Sequence, residues 1–138
     1  MKVKLDIRSI QYLNLFEKIT RVKAKCCFDY DTTIIFLVPK SSLKKALGDK
    51  AKNIAKLEQN MHRKVRIIPQ PGQNEIESFI KAIIFPNEPK KIVVEKDKIY
   101  IFSLPRTKAA IIGRNKKKLK NLSEILHRFF GIKKVIIK

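Results

Sequence analysis

The chain has 138 residues, of which 44% are hydrophobic and 32% are charged. It therefore carries enough apolar material for a packed core and too much for a disordered chain. The formal net charge of +20 favours a polyanionic partner, and no apolar run approaches the length of a membrane span. We expect a cytoplasmic protein with no membrane association.

The positive charge is divided evenly along the chain. Residues 1–72 and residues 73–138 each contain 16 basic and 6 acidic residues, so each half carries +10 (16 − 6). Most of the basic residues are lysines, which bind as hydrated point charges and favour contact with a nucleic-acid backbone over the reading of bases. A charge excess that serves solubility or thermal adaptation stays open as the alternative.

The first elements predicted along the chain are a helix and a β-hairpin. Residues 9–20 have helical apolar spacing, with Ser9 as the expected N-cap. Residues 24–29 and 32–38 are rich in strand-forming side chains, and Asp29-Tyr30-Asp31 between them is typical of a turn.

Two helices around a glycine follow, and a strand closes the first half. The first of these helices ends at Gly48, and the second starts after the polar tip Asp49-Lys50. A strand is predicted at 65–68. The breaker 69–72, Pro-Gln-Pro-Gly, is the expected domain boundary.

The second half repeats this order of elements. We predict a helix at 74–84 capped by Asn74, a hairpin turning at Lys96-Asp97, a helix from Pro105 to Gly113, a helix at 116–129 ended by Gly131, and a strand at 135–137. Each half therefore predicts an α+β fold in which three helices cover one face of a three-stranded sheet.

An internal repeat supports this division. The segments 46–57, ALGDKAKNIAKL, and 110–122, AIIGRNKKKLKNL, align when Gly48 is laid on Gly113. The alignment continues without a gap through His62 over His127. We therefore interpret the chain as two copies of one unit, with domains at 1–70 and 71–138.

The cysteines and histidines offer little for catalysis or metal binding. Cys26 and Cys27 are neighbours on a predicted strand, where side chains point to opposite faces, so we expect packing residues. His62 and His127 end equivalent helices and are expected to act as caps. The acidic residues form no cluster for metal-assisted chemistry, and no Walker loop, zinc signature or nucleophile elbow occurs. We expect no enzyme, no metal and no cofactor.

The glycine turn between two helices, within the order helix-strand-strand-helix-helix-strand, resembles a KH domain of type II topology. The tandem pair, its length, and the segments SIQYLNLFEKIT and AKCCFD resemble the short archaeal members of the NusA family of transcription factors. The resemblance implies two KH domains that bind single-stranded RNA in transcription termination or antitermination, without the N-terminal and S1 domains of the bacterial protein. RNA polymerase is implied as a protein partner by the resemblance alone.

The loops depart from the GXXG pattern of KH domains at their last position. Gly48-Asp49-Lys50-Ala51 ends in alanine and Gly113-Arg114-Asn115-Lys116 ends in lysine. In such loops the close approach of the RNA backbone depends on glycine, and a helix N-terminus favours phosphate. Asp49 weakens the first loop, whereas seven basic residues and no acidic one lie between 106 and 120. The residues expected to contact RNA are Gly48, Lys50, Ala51, Lys52, Gly113, Arg114, Asn115, Lys116, Lys117 and Lys120.

Several alternatives remain open at this point. Both glycines are also compatible with simple helix C-caps, and the lysine run with a solvated helix face. A ribosomal-RNA-binding or ribosome-maturation KH protein would have the same fold. A helix-turn-helix DNA-binding protein also contains helix-glycine-helix, although the predicted strands argue against it. The RNA sequence preference and the oligomeric state are not encoded in these patterns.

Overall fold

The computed structural model describes residues 7–138, so the first six residues of the predicted first domain lie outside that range. The chain divides into two compact units, with the division between Gln70 and Pro71. In the described residues each unit contains three α-helices and one three-stranded sheet, joined in the same order. The expected α+β class is confirmed.

The first unit contains the elements α1 Ile7–Thr20, β1 Cys26–Tyr30, β2 Thr33–Val38, α2 Leu43–Leu47, α3 Lys52–Met61 and β3 Lys64–Pro69. The second unit contains α4 Ile76–Ile84, β4 Lys91–Glu95, β5 Lys98–Phe102, α5 Pro105–Ile112, α6 Lys117–Phe130 and β6 Lys134–Ile137. A short 3-10 turn lies between the two helices at each glycine, at Asp49–Ala51 and at Arg114–Lys116.

Both sheets have the same topology. The hairpin strands pair antiparallel, with Cys27 opposite Phe36 in the first sheet and Ile92 opposite Ile101 in the second. The last strand of each unit then pairs parallel to the second strand of its hairpin, on the far side from the first. A parallel pair needs a crossover connection, and in each unit the two helices around the glycine provide it.

The duplication extends beyond the segments in which the sequence shows it. β1 begins at Cys26 and β4 at Lys91, an offset of 65 residues (91 − 26). The same offset separates α3 from α6, which begin at Lys52 and Lys117 (117 − 52). After these helices the offset becomes 70 at the last strands (134 − 64), mainly because α6 has 14 residues and α3 has 10.

The core of the first unit joins its helices to one face of its sheet. Phe16 of α1 stacks on Phe36 of β2 with ring centroids 4.4 Å apart, and Leu57 of α3 packs into the same cluster. The strand TIIFLV is rich in β-branched residues, which pack well on a pleated surface. Cys26 and Cys27 are both buried and form no disulfide, as expected of packing residues.

The core of the second unit is built in the same way from different side chains. Ile99 and Ile101 of β5 are fully buried, as are Ile111 of α5 and Leu122 of α6. The helix α4 joins α6 through aromatic rings, with Phe79 and Phe129 in an edge-to-face contact at 5.7 Å. This arrangement leaves the short glycine loop at the exposed junction of α5 and α6.

Three local predictions were wrong. Ser9 lies inside α1, because the helix is already present at Ile7. Asn74 does not cap α4, whose N-cap position is Glu75; the Glu75 carboxylate instead accepts a hydrogen bond of 2.7 Å from the amide of Gly72. The first hairpin turns after Tyr30, which is the last residue of β1.

Candidate nucleic-acid interface

The first glycine loop connects two helices through a closed four-residue turn. The Gly48 amide donates to the Lys44 carbonyl at 3.1 Å and so ends α2. The Ala51 amide then donates to the Gly48 carbonyl at 3.1 Å and closes the turn. The helix α3 starts at the next residue, Lys52, so the polar residues of the turn lie directly before a helix N-terminus.

The second loop has the same hydrogen bonds at equivalent positions. The Gly113 amide donates to the Ala109 carbonyl at 3.0 Å, and the Lys116 amide donates to the Gly113 carbonyl at 3.2 Å. The helix α6 starts at Lys117. Since the two loops share only their glycine and one lysine at different positions, the common geometry belongs to the turn itself.

Gly48 and Gly113 adopt a conformation that only glycine occupies readily. Their φ/ψ values are 77°/177° and 75°/174°, within the mirror image of the extended region. A Cβ atom on Gly48 would lie 2.9 Å from Nδ2 of Asn53, and one on Gly113 would lie 2.8 Å from Cγ of Lys118. Both glycines are therefore required by the backbone and by the space around them.

A simple C-cap glycine behaves differently, and the chain contains one for comparison. Gly131 ends α6 in the left-handed helical region, with φ 71° and ψ 19°, which is usual for a residue just beyond a helix. A Cβ atom there would meet nothing within 4 Å. Gly48 and Gly113 have a second role besides ending a helix, because they turn the chain sharply into the following helix.

The last two residues of each loop are left-handed although neither is glycine. Lys50 and Ala51 have φ values of 52° and 56°, and Asn115 and Lys116 have φ values of 56° and 60°. Asparagine tolerates this region, whereas alanine and lysine are strained there. The loops therefore keep a backbone that favours a final glycine in spite of the substitution.

Most of the predicted contact residues are exposed at these turns. Arg114, Asn115, Lys116, Lys117 and Lys120 are exposed in the second unit, while Gly113 is half-buried. In the part of the chain that the structure describes, no salt bridge engages the four basic residues among them. Their charges are therefore available to an anionic ligand at the start of α6.

The first loop has the same exposure and a weaker positive charge. Lys50, Ala51 and Lys52 are exposed, and Gly48 is half-buried. Asp49, at the second position of the turn, is exposed as well. Its negative charge lowers the local positive potential relative to the second loop, which has no acidic residue.

One residue that supports the first loop escaped the sequence analysis. Asn53 is buried, and its Nδ2 donates a hydrogen bond of 2.9 Å to the Ala46 carbonyl, so it joins α3 to the end of α2 behind the glycine. The equivalent residue of the second unit is Lys118, whose Cβ and Cγ pack on Gly113. The sequence signal that could have identified Asn53 is an amide side chain at the second position of a helix that follows a glycine turn.

The two histidines differ from each other in detail. His62 lies just beyond α3 in the left-handed region, and its amide donates to the Glu58 carbonyl at 2.9 Å. His127 lies inside the last turn of α6, with Nδ1 3.1 Å from the Ile132 carbonyl. Both belong to helix ends. Among residues 7–138, no group of three or more histidine, cysteine and acidic side chains is placed to hold a metal ion.

Comparison with known proteins extends over nearly the whole chain. The sequence is 27% identical over 139 residues to the probable transcription termination protein NusA of Methanococcus vannielii, covering 98% of this chain and 79% of that protein. It is 28% identical over 138 residues to the protein of the same name from Methanocaldococcus jannaschii, covering 97% and 74%. The chain resembles archaeal NusA proteins.

Further comparisons agree with this resemblance to NusA. The protein of the same name from Thermoplasma acidophilum is 18% identical over 141 residues, covering 99% of this chain and 96% of that protein. The crystal structure of APE1850 superimposes with a TM-score of 0.67 at 23% identity, covering 97% of this chain and all of the other, and so shares the fold. No protein-family model matches the chain.

The membrane prediction concerns the helices of both units. None of the helices among the described residues combines the length and the apolar character that crossing a bilayer requires. Among the described residues the longest helices have 14 residues, and α6 combines its apolar positions with lysine, glutamate, histidine and arginine.

Proposed function

We propose that this chain binds single-stranded RNA through its two glycine loops and acts in transcription termination or antitermination. In this proposal residues 1–70 and 71–138 are tandem KH domains of type II, and the loops are degenerate GXXG loops. The protein is not an enzyme and works in the cytoplasm without a cofactor. The observation that carries the proposal is the identical backbone geometry of the two loops, with glycine in a glycine-only conformation at the start of each.

The loop geometry suits a phosphate ligand. The hydrogen bonds that close each turn are not donated by the amides of its second and third residues, Asp49 and Lys50 or Arg114 and Asn115. Each loop also leads into a helix N-terminus, where the first amides and the positive end of the helix dipole attract anions. A sugar-phosphate backbone lying on the loop would meet both.

The second unit is proposed as the stronger contact. Its loop contributes Arg114 and Lys116, and the following helix contributes Lys117 and Lys120. All four are exposed, and the loop contains no acidic residue. In the first unit, Asp49 separates Gly48 from Lys50 and Lys52. Since phosphate contacts supply most of the affinity for nucleic-acid backbones, this difference sets the ranking.

The relatives support the transcription role. Each carries the name of a probable transcription termination protein NusA, and two of them are 27% and 28% identical to this chain. RNA polymerase is proposed as the protein partner on the same basis. A KH protein that binds or matures ribosomal RNA is the second candidate, and sequencing the RNA crosslinked to the protein in cells separates nascent transcripts from ribosomal RNA.

The affinity for labelled single-stranded RNA at several salt concentrations tests the proposal. If the chain neutralises four to six phosphates, the logarithm of the association constant should fall against the logarithm of salt with a slope of roughly −3 to −4. A slope near zero would rule out this mode of binding. Tighter binding to duplex DNA than to single strands would instead favour the helix-turn-helix alternative.

Paired charge reversals test the ranking of the loops. Lys116→Glu with Lys117→Glu should weaken RNA binding more than Lys50→Glu with Lys52→Glu, although both double variants change the net charge equally. Each pair consists of exposed residues at the end of a loop, so both variants should fold. Equal losses of affinity would contradict the ranking.

A further inference from the structure

The sheet of the second unit has one face that its helices do not cover. Strand residues alternate between faces, and Ile99 and Ile101 of β5 point to the face that is fully buried under the helices. Tyr100, between them, points to the other face. The pairing places Val93 of β4 and Ile136 of β6 beside Tyr100 on that same face.

We call this second surface the open face and define it by its four central side chains, which are Val93, Tyr100, Phe102 and Ile136. All four are half-buried, in contrast to the complete burial of Ile99 and Ile101. Two of the four are aromatic. Aromatic rings on the surface of a sheet can stack on unpaired bases. Because every base has a π-face, such stacking does not depend on the base sequence.

Lysines surround these rings. Lys91 is paired with Phe102 across the antiparallel ladder, and Lys98 is paired with Lys134 across the parallel one, so all three lie on the open face. The Nζ atom of Lys138 lies 5.5 Å from the centre of the Tyr100 ring. All four lysines are exposed, and Glu95 is the one acidic residue that the strands place among them.

The pair formed by Lys98 and Lys134 is unfavourable for the sheet alone. Like charges directly opposite on neighbouring strands destabilise a sheet. Among the described residues neither lysine forms a salt bridge. Glu95, which is paired with Lys98 across the antiparallel ladder, offsets part of this repulsion, and a polyanion bound across both strands would remove more of it.

The equivalent face of the first unit differs from the open face in its accessible side chains. Its aromatic residues, Phe28 and Tyr30, are buried. The residues 65 positions before Lys91, Lys98 and Tyr100 are Cys26, Thr33 and Ile35. Thr33 is paired with Lys64, so no two lysines oppose each other there. The two copies therefore differ on this face, and half-buried aromatic rings beside two opposed lysines lie on the second copy.

We propose that the open face binds a single strand of RNA, with bases stacked on Tyr100 and Phe102 and phosphates held by the surrounding lysines. This inference rests on the proposed function, since it takes RNA as the ligand of the chain. The contact is separate from the glycine loop, because α5 and α6 lie on the helix-covered side of the same sheet. A strand that leaves the loop can be held a second time on the opposite side.

Binding of a labelled single-stranded RNA of about 12 nucleotides, a length within the usual site sizes for such surfaces, tests the inference. Tyr100→Leu with Phe102→Leu keeps apolar packing and removes both rings, and we expect an affinity loss of roughly 5- to 100-fold. Lys98→Gln with Lys134→Gln should weaken binding about 3- to 10-fold and reduce the salt dependence. The matched control is Lys18→Gln with Lys23→Gln, two exposed lysines of the first unit, which should change affinity less than twofold.

Photocrosslinking locates the RNA independently of these substitutions. RNA containing 4-thiouridine should crosslink to the segment 98–102 in the unchanged protein, and also in the loop variant Lys116→Gln with Lys117→Gln at higher protein concentration. This arm decides the matter if the double leucine variant fails to fold.

The possible outcomes separate the two proposals. If the unchanged protein binds RNA, the open-face variants bind as tightly as the control and no crosslink forms at 98–102, the open face is not an RNA site although the proposed function stands. If the unchanged protein does not bind RNA, the proposed function itself is wrong. Selective loss of binding to an acidic protein, with RNA affinity unchanged, would also overturn the open-face proposal.

Discussion

Asn53 ties the first glycine loop to the helix before it, because its Nδ2 donates a hydrogen bond of 2.9 Å to the main-chain carbonyl of Ala46. Asn53 is 6% exposed and Ala46 is fully buried, so water cannot replace the bond. The amide also lies against Gly48, where it fills the space that a Cβ atom would need. A single buried side chain thus fixes the angle at which α3 follows α2.

Replacement of Asn53 by alanine should lower the free energy of unfolding by about 1–3 kcal/mol, since it leaves the Ala46 carbonyl buried without a donor. Urea denaturation of the variant measures this loss. Asn60→Ala is the matched control, because Asn60 donates a similar bond of 2.7 Å to the Lys56 carbonyl at an exposed position. The control should lose less than about 0.5 kcal/mol, and equal losses would contradict the role of Asn53.

Gly113→Ala should be severely destabilising, by about 3 kcal/mol or more. The substitution places a side chain in the glycine-only region and pushes Cβ to within 2.8 Å of Lys118. Thermal or urea unfolding measures the effect. Gly131→Ala is the comparison, because it has positive φ but open space, and it should cost only about 1–2 kcal/mol. A loss at Gly113 no larger than at Gly131 would mean that the loop relaxes easily into another turn.

The order of helices and strands could be predicted from the sequence because apolar periodicity, glycine and proline mark each element. The glycine turns were also visible, since Gly48 and Gly113 align within a repeat. The left-handed backbone at Ala51 and Lys116 could not be anticipated, because alanine and lysine seldom adopt it and the surrounding turn imposes it.

The supporting residue and the open face were missed for a different reason. Asn53 is polar and resembles a surface residue until the fold buries it. The lysines opposite each other at Lys98 and Lys134 become neighbours only through strand pairing between segments far apart in the sequence. Periodicity within one segment carries no information on such pairs. Ser9 and Asn74 are good capping side chains, but each lies one or more residues away from the helix start, so neither caps its helix.

Lys116→Gly should stabilise the second unit by about 0.5–1 kcal/mol. Glycine relieves the cost of the left-handed conformation, about 1–2 kcal/mol, and loses part of that gain to the greater freedom of the unfolded chain. Ala51→Gly should act in the same direction in the first unit. Lys117→Gly is the control, since Lys117 has φ −65° at the start of α6 and the change removes the same charge. It should destabilise by about 0.5–1 kcal/mol. Destabilisation at both 116 and 117 would show that the turn is not strained.

Alkaline pH should destabilise the first unit through Tyr30. Burial raises the pKa of Tyr30 to about 12, from 10.0 in the unfolded chain, although Arg66 opposes the shift. The neutral phenol is therefore favoured by folding. The stabilisation is complete below pH 10 and is lost as pH rises towards 12, which amounts to about 2–3 kcal/mol in total.

Tyr12 provides the control with the opposite sign. Its partial burial raises the pKa, but the hydrogen bonds and positive charges of Arg63 and Arg8 together lower it by more. The net pKa therefore lies below 10.0. The Arg8 Nε donates to the Tyr12 hydroxyl at 3.2 Å, and the Arg63 guanidinium lies 5.7 Å from the ring centre. Folding therefore favours the phenolate of Tyr12, and this contribution to stability grows as pH rises.

Phenolate absorbance during an alkaline titration, together with unfolding at each pH, measures both groups. Tyr30→Phe should remove the component that ionises last and make stability fall less steeply between pH 10 and 12. Tyr12→Phe should remove an early component, so that the gain in stability as pH rises towards 10 is lost while the fall between pH 10 and 12 stays nearly unchanged. All three proteins contain the same lysines, whose contribution therefore cancels in the comparison. Identical profiles of stability against pH for the two variants would contradict the opposite pKa shifts of Tyr12 and Tyr30 on folding.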